Sequence, residues 1–114
     1  MLEPLFGSAV RERVLLFLLT RPESYPREMA ATFRYSLGTV QGILAGLEDG
    51  GVVYSRLRGR TRLYSLNPRY PFRRELEALL RRVLEAMPDD ERERFYMPRL
   101  RPRRPGKAVR YVDD

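Results

Sequence analysis

The sequence contains no cysteine, no histidine and no tryptophan among its 114 residues. Without thiol or imidazole groups, the usual cysteine and histidine sites for transition metals cannot form, and catalysis by either side chain is excluded. Disulfide bonds are excluded as well, which is typical of proteins in a reducing cytoplasm. We therefore predict a cytoplasmic protein with no metal site, no cofactor and no catalytic residues.

Long apolar runs are also missing. No segment approaches the roughly 18 residues that a membrane-spanning helix needs. The first residues lack the basic and apolar regions of a signal peptide. The densest group of carboxylates, Asp89, Asp90, Glu91 and Glu93, is more simply interpreted as a solvated helix cap than as a catalytic site. We expect neither a membrane partner nor an enzyme.

Arginine, in contrast, is abundant. The 22 basic residues outnumber 15 acidic ones, the formal net charge is +7, and Lys107 is the single lysine. A clustered basic surface indicates a polyanionic partner. The planar guanidinium suits phosphate and guanine, but a GC-rich genome would produce the same preference for arginine over lysine, and both explanations stay open.

The central part of the chain, residues 26–67, has the pattern of a helix, a turn, a second helix and a hairpin. Pro26 suits the start of the first helix, and Ser36 suits the N-cap of a second helix over Leu37 to Asp49. Two β-branched and aromatic segments follow, 52–57 and 62–66, around a glycine-containing tip. This order predicts a winged helix-turn-helix, a mainly α fold with a small β-hairpin wing.

The second of these helices has an apolar side and a glycine-rich side. The glycine-rich side consists of Gly38, Thr39, Gln41, Gly42, Ala45 and Gly46. Each glycine costs the helix roughly 1 kcal/mol relative to alanine. Close approach to a DNA groove, contact with another helix, or a tolerant surface would each account for these glycines.

The hairpin carries four arginines within seven residues and no acidic residue between them. They are Arg56, Arg58, Arg60 and Arg62. Exposed edge strands also carry charge to prevent aggregation, but lysine and glutamate normally share that role. We therefore predict a wing that contacts phosphates.

Two further helices flank this unit. The first is capped by Ser8 and runs to about Thr20, with Arg11, Glu12 and Arg13 expected to face water. The other runs from about residue 72 to 87 and carries a long apolar stripe. We expect this stripe to form a homodimer, with packing on its own domain as the alternative. Its residues are Phe72, Leu76, Leu79, Leu80, Val83, Leu84 and Met87.

The last part of the chain is rich in proline and arginine. Residues 97–114 hold six basic and two acidic residues, so they carry +4 of the net charge. This composition predicts disorder, although residues 108–112 are a candidate for an added strand. The predicted domains are therefore a winged helix-turn-helix at 1–67, an amphipathic helix at 68–87 and a basic tail at 88–114.

Four segments, in this order and spacing, resemble a prokaryotic winged helix family: LFGSAVRERVLLFLL, YPREMA, SLGTVQGILAGLEDGGVV and RLYSLNPRYPFRREL. They are similar to ArsR/MarR-like regulators, most of all to stand-alone or nucleotidyltransferase-associated winged helices that begin with LFGS and close the wing with LNP. The resemblance covers about residues 4–85. It implies sequence-directed binding to double-stranded DNA, usually as a homodimer, with residues 36–49 as the recognition helix and 56–62 as the wing.

The sequence departs from this family in two respects. Recognition helices of the family normally offer Arg, Lys, Asn or His to the bases, whereas here Ser36, Thr39 and Gln41 are available, and Gln41 suits adenine. The metal ligands of ArsR sensors have no counterpart. The predicted DNA-binding residues are Arg34, Tyr35, Ser36, Thr39, Gln41, Arg56, Arg58, Arg60, Arg62, Arg101, Arg103 and Arg104.

Two functions remain open. The chain is either a DNA-binding transcriptional regulator or a winged-helix protein-interaction module. In the second case the glycine-rich side binds an unidentified protein partner, and the basic tail binds DNA or RNA without sequence preference.

Overall fold

The computed structural model describes residues 1–96, which form six helices and one antiparallel hairpin. The elements are α1 (Glu3–Phe6), α2 (Ala9–Leu19), α3 (Pro26–Phe33), α4 (Leu37–Asp49), β1 (Val53–Arg58), β2 (Thr61–Leu66), α5 (Arg73–Ala86) and α6 (Asp89–Tyr96). This order confirms the predicted mainly α winged helix-turn-helix. The expectations for Arg101, Arg103, Arg104 and a strand at 108–112 lie outside the described residues.

Three consecutive residues, 34–36, form the turn between α3 and α4. Arg34 adopts a left-handed conformation at φ 61°, where residues other than glycine and asparagine are uncommon. The N–H of Tyr35 donates to the carbonyl of Ala30 at 3.0 Å, and Ser36 caps α4 by accepting the N–H of Thr39 at 3.1 Å. The direction of α4 is thereby set within three residues.

Helix α2 is the centre of the core. Its residues 14–18 are all buried, each at most 2% exposed. The helix is therefore surrounded on nearly every side, by α4, α5 and β2 among others. A helix that is apolar all round must be covered in this way. Met29, Val40 and Leu44 complete the core from α3 and α4.

Helix α5 supplies much of that cover, which corrects the expectation of a dimerisation stripe. Four of the seven assigned side chains, Leu80, Val83, Leu84 and Met87, are buried in the core of their own chain. They are not available to a second molecule. Only the start and outer edge of α5 leave apolar groups at the surface, where Phe72 is 63% exposed and both Leu76 and Leu79 are half-buried.

Helix α6 belongs to the folded unit, although the sequence predicted a basic tail from residue 88. Phe95 is 1% exposed and packs against Phe33 with ring centroids 5.2 Å apart. Its carbonyl accepts hydrogen bonds from the Thr20 hydroxyl at 2.9 Å and from the Arg21 guanidinium at 2.8 Å. The predicted boundary at 88 therefore cuts through the hydrophobic core.

The start of α2 also differs from expectation. Glu12 was expected to face water but is 4% exposed. Its carboxylate accepts the N–H of Leu2 at 3.0 Å, because the short helix α1, which the sequence pattern did not predict, folds back over α2. A buried carboxylate needs such partners, and this one uses the backbone of the segment that covers it.

Candidate nucleic-acid interface

The exposed side of α4 is lined by glycines and carries few side chains. At Gly38, Gly42 and Gly46, an added Cβ would meet no atom within 4 Å. These three glycines are four residues apart, so they form one line along the helix. No close packing with another part of the described chain requires them. Of the three explanations left open by the sequence, a helix contact inside residues 1–96 is therefore removed.

The polar side chains of this surface are few. Ser36 and Thr39 are exposed and their hydroxyls hydrogen-bond each other at 2.7 Å. Gln41, two residues after Thr39, is exposed on the other flank of the glycines. These three groups supply the donors and acceptors that sequence analysis assigned to this helix.

The two residues before the cap point in different directions. Arg34 is exposed. Tyr35 is half-buried, packs against the core, and accepts a hydrogen bond from the Arg13 guanidinium at 2.6 Å. This bond raises the pKa of Arg13, which stays charged. Tyr35 thus supports the turn from inside, which corrects the expectation that its side chain reaches toward DNA.

The hairpin register divides the wing arginines between two faces. Leu57 pairs with Arg62, and Arg56 pairs with Leu63. Since paired residues in an antiparallel ladder point to the same face, Arg56 and Arg62 lie on opposite faces. Arg58 shares the face of Arg56, and Arg60 lies at the tip. The four arginines do not form a single basic face.

Arg56 is held by a carboxylate. Its Nη2 lies 2.9 Å from Oε1 and 3.0 Å from Oε2 of Glu23, which is in the turn between α2 and α3. The Arg56 side chain remains half-exposed, so this ion pair is weak by itself. It nevertheless ties the first strand of the wing to the body of the domain.

Arg62 is held on the other face by a two-step chain of hydrogen bonds. Its Nη1 donates to the Ser55 hydroxyl at 2.9 Å, and that hydroxyl donates to the Glu48 carboxylate at 2.8 Å. Glu48 lies in the last turn of α4. Arg62 therefore connects the wing to the helix beside it.

The base of the wing is fixed by the backbone as well. Tyr64 and Ser24 exchange two backbone hydrogen bonds, at 2.7 and 3.0 Å. The Asn67 side chain donates to the carbonyl of Gly51 at 2.9 Å. Burial raises the pKa of the Tyr64 phenol, and the negative charge of Glu48 raises it further. The hairpin is thus anchored at its base and projects its tip.

Arg58 and Arg60 remain at that tip. Both are exposed, and the hydrogen bonds and ion pairs within residues 1–96 include Arg56 and Arg62 but neither of these two. Gly59 between them adopts φ 63°, a conformation that tight hairpin turns need and glycine adopts without strain. Two uncompensated cations therefore project from the domain.

Other kinds of site have little support in the described chain. Residues 1–96 contain no group of three His, Cys, Asp or Glu side chains placed to hold a metal ion. No helix in that range is both long and apolar enough to cross a membrane.

Comparisons with known proteins identify the fold. No protein-family model matches the sequence, and no curated protein matches it. Among solved structures, a MarR-family transcriptional regulator from Rhodococcus sp. RHA1 is similar with a TM-score of 0.57 at 23% identity, over 79% of this chain and 69% of that one.

Lactococcus lactis ZitR is similar as well. A ZitR variant in its apo form gives a TM-score of 0.53 at 19% identity, over 81% of this chain and 78% of that one. ZitR described as a zinc-responsive MarR family member gives 0.50 at 20% identity, over 75% and 67%. The chain spans 66% of another ZitR variant, just under two thirds of its length. Together these likenesses show that this chain has, over at least three quarters of its length, a winged helix fold of the kind found in MarR-family regulators.

Proposed function

We propose that this protein is a DNA-binding transcriptional regulator, with α4 in the major groove and the tip of the wing on the phosphate backbone. The observation that carries this proposal is the open, glycine-lined side of α4 on the same domain as the uncompensated Arg58 and Arg60. The transcriptional regulator from Rhodococcus with a similar fold supports it. The net charge of +7 supports it independently.

The glycines allow the backbone of α4 to approach the groove closely. An α-helix fits the major groove, but side chains normally separate its backbone from the base edges. On this helix Gly38, Gly42 and Gly46 have no side chains, so the backbone can come closer to the base edges. We propose that Gln41 pairs with adenine and that Ser36 and Thr39 add hydroxyl contacts. With so few base contacts, sequence preference is modest.

Affinity comes mainly from phosphate contacts. Arg58 and Arg60 contact the backbone directly, while Arg34 contributes beside the start of α4. Arg56 and Arg62 act chiefly by holding the wing. The tail residues Arg101, Arg103 and Arg104 add electrostatic attraction that does not depend on sequence.

The test is fluorescence-anisotropy binding to a duplex from the upstream region of the gene and to a scrambled duplex, across a salt series. The full chain is compared with a truncation ending at Tyr96, which retains the whole described core. Tighter binding to the upstream duplex, retained after truncation, supports the proposal. Equal binding to both duplexes that is lost on truncation would contradict it.

Further parts of this proposal concern the setting. We propose that the protein acts in the cytoplasm, on double-stranded DNA, as a homodimer and without catalysis. The transcriptional regulator of similar fold from Rhodococcus is consistent with a non-enzymatic role.

A protein-interaction module is the second candidate. The same smooth side of α4 would accept a helix of a protein partner, since small residues permit close helix packing. The small number of side chains on α4 that could contact bases favours this candidate. Tight binding to a protein partner without DNA affinity at physiological salt would establish it in place of the first.

A further inference from the structure

The turn between α2 and α3 contains an arginine that lies outside the candidate nucleic-acid interface. The Arg21 side chain is 17% exposed, and its guanidinium carbon lies 3.7 Å from the centre of the Phe17 ring. Its Nε is buried and has no hydrogen-bond partner within residues 1–96. Burial lowers the pKa of Arg21, and the charge of Glu28 partly offsets this effect, but an arginine stays charged in a protein. Keeping this charge at the edge of the core costs free energy that its partners must offset.

The two terminal nitrogens of Arg21 bridge two helices. Nη2 donates to the carbonyl of Phe95 near the end of α6 at 2.8 Å. Nη1 donates to Oε2 of Glu28, in the first turn of α3, at 3.2 Å. A guanidinium makes both contacts at once because its donors diverge within one plane. Arg21 therefore holds the C-terminal end of α6 against the start of α3.

The carboxylate of Glu28 extends this contact to the wing. Its second oxygen, Oε1, accepts the hydroxyl of Ser24 at 2.6 Å, and Ser24 is 1% exposed. The backbone of Ser24 is in turn paired with Tyr64 in β2 by two hydrogen bonds. An unbroken series of polar contacts thus runs from the end of α6 through Arg21, Glu28 and Ser24 to the base of the wing.

Helix α6 is not closely packed along its length. Within residues 89–96, Phe95 is the buried residue. A cleft of about 350 Å³ lies between α6 and Leu84 of α5, and a second cleft of about 350 Å³ lies between α6 and Phe33 of α3. Since close packing is missing on both flanks, the position of α6 depends on the Phe95 ring and on the polar contacts near its two ends.

We propose that Arg21 is a positioning residue for DNA binding, which links the docking of α6 to the position of α3 and the wing. While α6 is docked, the Phe95 carbonyl holds one branch of the guanidinium and directs the other branch at Glu28. When α6 is displaced, Arg21 loses this partner and turns toward water, so the start of α3 and the base of the wing are held less firmly. The docked form therefore binds DNA more tightly, and DNA in turn favours docking. This link deepens the proposed function and rests on it.

A second arginine anchors α6 at its other end and provides a matched control. Arg92 donates to the carbonyls of Leu84 and Met87, at 2.9 and 2.7 Å, and lies 2.9 Å from the Asp89 carboxylate. Within residues 1–96 the hydrogen bonds of Arg92 reach neither α3 nor the wing. Removing Arg92 therefore loosens the start of α6 while the Phe95 carbonyl stays bound to Arg21.

Hydrogen-exchange mass spectrometry of the full chain without DNA tests the link. Arg21→Met keeps an unbranched apolar stem and removes the guanidinium. We expect exchange to become roughly fivefold faster in α6, at the start of α3 and in β2. Arg92→Met should accelerate exchange at the start of α6 and leave α3 and β2 unchanged. Equal rates in α3 and β2 for the two variants would overturn the proposal. Circular dichroism verifies that both variants are folded.

Glu28→Gln tests whether the effect passes through this carboxylate. Glutamine keeps an oxygen for the Ser24 hydroxyl but loses the charge that attracts Arg21. Both substitutions remove the same link, so the double variant Arg21→Met, Glu28→Gln should exchange in β2 no faster than the faster single variant. If the two accelerations multiply instead, the residues act independently and the link through Glu28 is wrong.

Fluorescence anisotropy across a salt series separates positioning from direct contact with phosphate. Arg21→Met should weaken DNA binding by roughly threefold or more and leave the slope of log K against log salt unchanged, because Arg21 contacts no phosphate. Arg92→Met should keep the original affinity. Unchanged affinity in Arg21→Met, or a smaller slope, overturns the positioning role. If the unaltered chain does not bind DNA, the proposed function fails, whereas the exchange rates still decide whether Arg21 links α6 to α3 and the wing.

Discussion

At the residue scale, the wing shows how four identical side chains acquire different roles. The sequence alone gives Arg56, Arg58, Arg60 and Arg62 equal standing, since they alternate along one short segment. The structure separates them because Glu23 and Glu48 come from outside the hairpin, more than 30 residues before Arg56 in the first case and seven before Ser55 in the second. Pairings of this kind cannot be deduced from local pattern.

The first prediction follows from that separation. Arg58→Ala and Arg60→Ala should each weaken binding to all DNA sequences and lower the slope of log K against log salt by about one. Arg56→Ala and Arg62→Ala serve as matched controls and should change that slope less, because Arg56 is paired with Glu23 and Arg62 is held by the Ser55 hydroxyl. The measurement is anisotropy titration over a salt series. Equal slopes for all four variants would contradict the division of the wing.

Arg62 gives the second prediction. Ser55→Ala removes the link between Arg62 and Glu48 without changing any charge. The guanidinium is then released toward solvent and the wing is held less firmly. We expect faster amide exchange across β1 and β2 by hydrogen-exchange mass spectrometry, with the rates in α3 unchanged. Unchanged exchange in both strands would show that this link does not hold the wing.

At the element scale, α4 was the most fully predictable part of the chain. Its N-cap, apolar side and terminal glycines are all local signals, and the structure has the helix at Leu37–Asp49 capped by Ser36. The reason for its internal glycines could not be predicted from the sequence, because it depends on which groups lie near them in the folded protein. Because an added Cβ at these positions would meet no atom within 4 Å, two explanations remain, an external partner or a surface that tolerates glycine.

The third prediction uses those glycines. Gly42→Ala and Gly46→Ala should each stabilise the protein by about 0.5–1 kcal/mol, because alanine favours the helix and meets no atom. Both should weaken DNA binding if α4 approaches the groove closely. Chemical denaturation and anisotropy measure the two effects. Gly51→Ala is the contrasting control and should destabilise, because Gly51 has φ 79°. Unchanged DNA affinity in both α4 variants would favour a tolerant surface.

At the scale of the whole molecule, the sequence predicted the order of the elements, but it placed the C-terminal end of the folded core too early, at residue 88. Helix α5 has a strong amphipathic pattern, yet that pattern cannot say whether its apolar side meets its own chain or another. Phe95 lies in a strongly charged segment, and its burial in the core against Phe33 depends on contacts between residues that are far apart in sequence. Long-range packing decided both points.

The fourth prediction concerns this limit. Phe95→Ala should destabilise the protein by about 3–5 kcal/mol, the usual cost of removing a buried phenylalanine. Tyr96→Ala is the adjacent control and should cost far less, since Tyr96 is 59% exposed. Urea denaturation followed by circular dichroism measures both. A small effect at Phe95 would restore the boundary at residue 88.

The left-handed turn at Arg34 has a consequence for how the sequence can change over time. Glycine or asparagine would adopt that conformation more easily than arginine, so selection for folding alone should replace Arg34 with one of them. In a library randomised at position 34, survivors chosen for stability should be enriched in glycine and asparagine, whereas survivors chosen for DNA binding should keep a basic residue. Sequencing both populations would reveal whether the charge of residue 34 or its backbone conformation determines which amino acid is selected there.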